Sequence, residues 1–174
     1  MPITQGRSRG ARDLERAARN REKLAEVYPP FAEKVRAILS DLEGIGRQPM
    51  IIRSWQSPEE REATPAACSA NQDYSLHQVT GVIGQPEALA VDIVDEGHPD
   101  EAHAMFALQL AYAAFAHGCE TGIVDGLPAE AVAAIQDAVG RGDWAAEVTP
   151  GRSPGHVQPA GFTVAEARAG RRPK

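Results

Sequence analysis

The run Leu89-Ala90-Val91-Asp92-Ile93-Val94 constrains this chain more than any other segment. Six residues, five of them apolar and three β-branched, are too few for an ordinary helix and read as a buried central strand. The fold must therefore contain a sheet. It must also accommodate Asp92 within its most apolar strand, where an unpaired carboxylate is costly. A metal ion or a cationic partner would resolve that cost, and so would backbone amides at a strand end.

Most of the remaining pattern is helical. Residues 10–28 carry a thin apolar stripe (Leu14, Ala17, Ala18, Leu24, Val27) that Pro29-Pro30 stops. Phe31, Val35, Ile38, Leu39 and Leu42 then recur at helical spacing, and Gly44 or Gly46 ends that helix. Met50-Ile51-Ile52 predicts a short strand. Ser57-Pro58-Glu59-Glu60 is a capping box with proline at the first helical position, opening a helix to about Cys68. Leu76–Ile83 reads as a strand end followed by a loop. Pro99–Gly118 is the strongest helical segment, with Gly118 as its C-cap. Another helix spans 128–140, from Pro128 to Gly140. Residues 141–155 are loop-like, and a short strand over 155–158 carries His156. Thr163-Val164-Ala165-Glu166 is a second capping box, opening a short terminal helix. The layout is α+β, with a small antiparallel sheet packed against helices. The expected division is an N-terminal helical extension over 1–28, a main domain over 29–162, and a C-terminal helix with a basic tail over 163–174.

Charge is unevenly spread. Residues 57–147 hold sixteen acidic and two basic side chains, whereas residues 1–24 hold seven basic and three acidic ones. An acidic body repels phosphates, which argues against nucleic-acid binding by the core. The segment 102–116 is too short for a membrane span. No apolar leader follows the N-terminus, so the expectation is cytoplasmic synthesis of a protein that does not enter a membrane. Cys68 and Cys119 lack metal-type spacing and are either free thiols, the preferred reading, or one disulfide.

Three residues carry the chemistry. His77, Asp92 and His156 each lie beside β-prone sequence, and strands hold side chains in place. Two imidazoles and one carboxylate make a three-ligand zinc set that leaves a fourth position open. Taken singly, each has a plain structural alternative, a satisfied histidine or a strand-end aspartate.

Ser75-Leu76-His77, then Ala88-Leu89-Ala90-Val91-Asp92-Ile93, then Pro154-Gly155-His156-Val157-Gln158 resemble the zinc motifs of the D-alanyl-D-alanine carboxypeptidase and L-alanyl-D-glutamate endopeptidase family. That family includes phage endolysins and shares its fold with the hedgehog signalling domain. Its pattern is S-x-H-x-x-G-x-A-x-D, followed far downstream by an acidic residue three places before a final His. Residues 49–60 resemble the family's strand and the helix start after it, so the likeness spans roughly residues 30–160. It implies a hedgehog/DD-peptidase fold and zinc held by His77, Asp92 and His156. The implied substrate is a peptidoglycan stem peptide cleaved by zinc-activated water, with Ser75, Arg53 and Gln56 on the substrate side. A monomer, released at lysis or carried in a phage particle, fits the same family.

The chain departs from that pattern in several places. Fourteen residues separate His77 from Asp92 where the pattern has six, and the extra segment around 79–87 reads as a hairpin tip. Ala88 stands at the glycine position. Gln56 replaces the family's oxyanion-stabilising arginine, and the odd offset of Arg53 from it points to the opposite face of an extended strand. Ser153 stands where the family carries its acid/base carboxylate, a proton-transfer role worth about 10²–10⁴-fold. Asp143 and Glu147, on the loop before His156, are the substitutes in sequence, or else solvated loop acids. Trp144 could pack on a sugar or peptide, or anchor a loop. Two alternatives follow: a catalytically impaired relative that keeps zinc for structure or for binding a cell-wall peptide, and a helical interaction protein with no metal.

Overall fold

Phe31, Ala32, Val35, Ile38, Leu39 and Leu42 recur at helical spacing, and in the computed structural model they form the buried face of one helix, α2 (Pro29–Gly44). Residues 9–62, 75–97 and 103–173 are described. The preceding helix, α1 (Arg9–Leu24), stops short of residue 28. Beyond it the backbone clasps a distant segment instead: Ala88 N–H donates to Glu26 O (2.9 Å) and Tyr28 N–H to Ala88 O (3.0 Å). Strand β1 (Pro49–Arg53) follows α2. Helix α3 (Pro58–Glu62) starts at the Ser57/Glu60 capping box; its expected run to Cys68 lies outside the described residues.

Leu76–Gln78 is one turn of 3-10 helix rather than a strand end. Ser75 N–H donates to Gln78 Oε1 (3.0 Å), so the two polar ends close a single turn and take its β-prone residues out of the sheet. The tip that follows is pinched by an isolated antiparallel bridge between Thr80 and Pro86. Strand β2 (Val91–Asp95) begins two residues later than the apolar run suggests, because Leu89 and Ala90 instead join Leu76, Val79, Phe162 and Ala167 in a separate apolar cluster. Helix α4 (His103–Ala116) ends as expected near Gly118, which adopts φ 68°. Helix α5 (Ala129–Arg141) runs past Gly140 and is capped by Gly142 in the left-handed conformation. Strand β4 (Ser153–Pro159) carries His156. Helix α6 (Val164–Arg168) begins at the Thr163/Glu166 capping box. No helix among the described residues is long and apolar enough to cross a membrane.

One strand is absent from the sequence pattern. Cys119–Gly122 forms β3, an edge strand whose polar residues show no apolar alternation. The sheet order is β1-β2-β4-β3, with every neighbouring pair antiparallel. Side chains alternate across a sheet. Ile51, Val91, Ile93, Val157 and Cys119 point to one side, where they join α2 and the Leu110, Ala113 and Ala114 face of α4 in the main core. Asp92 and His156 therefore point to the other, open side.

Two bulges decide what else reaches that side. Ile51 pairs with Ile93 but Arg53 pairs with Asp92, so Ile52 is extra and Arg53 turns onto the face of Asp92. Likewise Thr121 pairs with Val157 but Gly122 pairs with Ser153, so Pro154, Gly155 and His156 arch between them. Bulges re-aim side chains in this way at functional edges.

The outer edge of β1 is closed by a side chain. Asn20 of α1, 6% exposed, donates from Nδ2 to Pro49 O (2.9 Å) and accepts from Ile51 N–H (2.8 Å). It does for β1 what a fifth strand would do, and it leaves neither group unsatisfied. Asn20→Ala orphans both buried groups and is expected to cost at least about 2 kcal/mol in denaturant unfolding. Asn20→Asp can still accept from Ile51 but sets a buried carboxylate oxygen against the Pro49 carbonyl, so it should cost at least as much. A cost below about 0.5 kcal/mol for either variant, as at an ordinary surface position, would refute this account.

Candidate metal centre

Asp92 and His156 are paired directly across β2 and β4, which sets their side chains about 5 Å apart at Cβ on the open face. The 3-10 turn brings His77, 6% exposed, over the same face. His77 Nε2 lies 3.6 Å and His156 Nδ1 3.1 Å from the same oxygen, Asp92 Oδ1. The two rings meet edge-on, with centroids 5.2 Å apart. One ligand atom from each residue falls within 4.8 Å of the other two, and this group could hold a metal ion.

The outward atoms of all three side chains are already engaged. His77 Nδ1 lies 2.6 Å from the Ser54 carbonyl. A carbonyl only accepts, so the proton sits on Nδ1 and a neutral His77 presents its Nε2 lone pair to Asp92. Ser54 is in turn held by a hydrogen bond from its hydroxyl to Glu26. His156 Nε2 donates to Gln158 Oε1 (3.2 Å), whose amide nitrogen donates to Glu120 Oε1 (2.7 Å). That orientation leaves the His156 Nδ1 lone pair facing Asp92 as well. Asp92 Oδ2 pairs with the Arg53 guanidinium at 3.3 Å. Two lone pairs and a carboxylate oxygen thus converge with no proton between them when both rings are neutral. Only a cation, either protons or a metal ion, makes that arrangement favourable. Fixing the far nitrogen of each ring is how metal-binding histidines are oriented.

Electrostatics within the cluster point the same way. Burial pushes the Asp92 carboxyl up, but hydrogen bonds to His156 and His77 and their charges outweigh it and hold it far below the usual carboxylate range. Burial pushes His156 down, but its bond to Asp92 and that carboxylate's charge, with Gln158 and the charge of Asp125, raise it.

These shifts carry opposite pH signatures. In metal-free protein, stability from His156 is complete below about pH 6.5 and is lost as pH rises through its elevated value. Stability from Asp92 is present above about pH 3.9 and is lost as pH falls through its depressed value. Metal needs the deprotonated rings, so stabilisation by added zinc should grow as pH rises from about 5 to 8. Melting temperatures across that range, with and without zinc, test this; a zinc shift that shrinks with pH would rule out these ligands.

The other residues singled out in the sequence divide clearly. Arg53 reaches the site, contrary to the expectation from its odd offset, because the bulge at Ile52 turns it round. Gln56 is half-buried and adjoins the site through its backbone, donating to His77 O (2.9 Å). Ser75 opens the turn that carries His77. Ser153 is exposed at the start of β4. Trp144, Asp143 and Glu147 are not brought to the three ligands. Trp144 packs edge-on against Tyr112 of α4, centroids 5.4 Å apart, in the α4–α5 cluster on the helical side of the sheet. Asp143 lies 3.7 Å from Arg141 at the end of α5. Glu147 is exposed on the segment between α5 and β4.

Cys119 is a buried free thiol on the core side of the sheet, and burial pushes it up to about 11 despite the charge of Lys34. Cys68 lies outside the described residues. Sequence reasoning missed Ser54, Glu120, Gln158 and Asp125. Gln158 alone had a signal, since it lies two residues from His156 on a strand and must share its face.

The sequence matches no protein-family model, and no curated protein or solved structure is significantly similar to it.

Proposed function

We propose that this chain is a zinc-dependent hydrolase of the hedgehog/DD-peptidase type that cleaves peptide bonds in peptidoglycan stem peptides. The observation that carries the proposal is the convergence of His77 Nε2, Asp92 Oδ1 and His156 Nδ1, with every outward atom of the three side chains engaged. Two nitrogen ligands and one oxygen ligand suit zinc among the biological divalent ions and leave a coordination position for chemistry. A zinc ion bound there would polarise the scissile carbonyl and acidify a water molecule. Around it, Arg53 restrains Asp92, and the Ser54 and Gln158 contacts keep the two rings from rotating. The substrate class comes from the resemblance of the motifs around these three residues, as does activity as a monomer in cell-wall lysis or within a phage particle.

A second reading has its own support. Ser153 cannot move a proton at neutral pH, and Gln56 carries no charge for an oxyanion. A relative that binds metal and cell-wall peptide without cleaving it would look like this.

The two readings separate on purified peptidoglycan. The hydrolase should release new amino termini, stop with a chelator and recover with zinc. Stoichiometric zinc with no bond cleavage would leave the binding reading in its place.

A further inference from the structure

The open face carries another carboxylate on the far side of His156 from Asp92. Along β3, Cys119 points into the core, so Glu120 and Gly122 face the open side. Glu120 confirms that direction by its bond to Gln158. A Cβ built on Gly122 would lie 2.6 Å from Asp125 Oδ2 and 3.0 Å from Ser153 Cβ. The Asp125 carboxylate therefore lies across Gly122, beside Ser153, on the face that holds His156.

The backbone around Asp125 is built to hold it there. Arg152 N–H donates to Asp125 O (3.1 Å), and Gly151 N–H donates to Ile123 O (2.6 Å). A side chain on Gly151 would meet the Asp125 backbone nitrogen and oxygen at 2.6 Å, so only glycine lets the two segments close. Gly122 likewise leaves room for the carboxylate itself. Asp125 is exposed, so water and a peptide can reach it.

We propose that Asp125 is the proton-transfer carboxylate of this site, supplied from the turn after β3 in place of one at Ser153. The assignment rests on the hydrolytic reading above. As the water oxygen bonds to the scissile carbonyl carbon, an Asp125 oxygen takes the proton that the water loses. The same proton passes to the amide nitrogen as the C–N bond breaks. The products are a carboxylic acid and an amine, which at neutral pH become a carboxylate and an ammonium group as the acid's proton passes to the amine, and Asp125 returns to its ionised form with nothing else consumed.

The test uses the full chain loaded with zinc or cobalt(II), as wild type, Asp125→Asn, and Asp125→Asn with Ser153→Asp. Asp125→Asn should keep one metal per chain and lose about 10²–10⁴-fold of peptidoglycan hydrolysis, in kcat rather than KM. The acidic limb of its pH–rate profile should vanish, and Ser153→Asp should restore part of the rate. The pH midpoint of the cobalt visible spectrum should fall by about 1 unit, because removing a neighbouring negative charge eases proton loss at the metal. Unchanged hydrolysis in Asp125→Asn with full metal content overturns the assignment. If the wild type cleaves nothing, the hydrolytic reading falls, and the cobalt titration still decides: an unmoved midpoint overturns the role of Asp125, and a lowered one retains it as the carboxylate that exchanges protons at this metal.

Discussion

Alanine at His77 or at His156 is expected to strip the protein of its metal. Each ring contributes one of three protein ligands, and each faces Asp92 Oδ1 with a nitrogen that its outer partner leaves unprotonated. Removing only an outer partner typically weakens metal binding about 10–100-fold, so removing a ligand should exceed that. Elemental analysis should find about one zinc per chain in the wild type and far less in either variant. His117→Ala provides the control, because His117 pairs with Asp41 at 2.8 Å, away from this group. Zinc should also raise the melting temperature of the wild type and leave both ligand variants unmoved. A wild type that takes up no metal after refolding with zinc would end the hydrolase and binding readings together and leave an interaction protein.

The second large effect is expected at Gly155. Its φ is unremarkable, so its role is one of space rather than of conformation. A Cβ there would run into the Ile93 carbonyl oxygen on β2. Relief requires β4 to retreat from β2, and those strands pair only through Val91 with Val157 and Asp92 with His156. Gly155→Ala should therefore cost about 1–3 kcal/mol and also pull His156 away from Asp92, weakening zinc binding. Gly140→Ala is the contrast: nothing lies within 4 Å of its Cβ position, on the exposed side of α5. That change should stabilise by about 0.4–1 kcal/mol and leave zinc binding alone. Equal behaviour of the two alanines in unfolding and zinc titrations would contradict the role given to Gly155.

What the sequence made legible was whatever a short segment decides for itself. The apolar spacing of α2 and the capping boxes at Ser57 and Thr163 are local, and their elements stand where expected. Asp92, lodged in an apolar strand, and the two histidines were visible as anomalies of residue type, and they converge. The rest depends on pairing. β3 owes its existence to β4, not to its own Cys-Glu-Thr-Gly residues. The faces taken by Arg53 and Ser153 depend on bulges that only register creates. Asp125 is set beside Gly122 and Ser153 by a turn that Arg152 and Gly151, far along the chain, fix in place. Trp144, three residues beyond the end of α5, follows the helices rather than the ligands.

The Asn20 clasp bears on how copies of this protein behave toward one another. An open sheet edge invites another molecule to add a strand, and a crowded solution of such molecules grows fibres. Here the β1 edge is occupied by an amide from the chain's own helix, so recruitment at that edge must first dislodge α1. Colloidal behaviour at that edge thus depends on a residue remote from the His77, Asp92 and His156 group, and loss of the clasp would show as aggregation on storage before that group was disturbed.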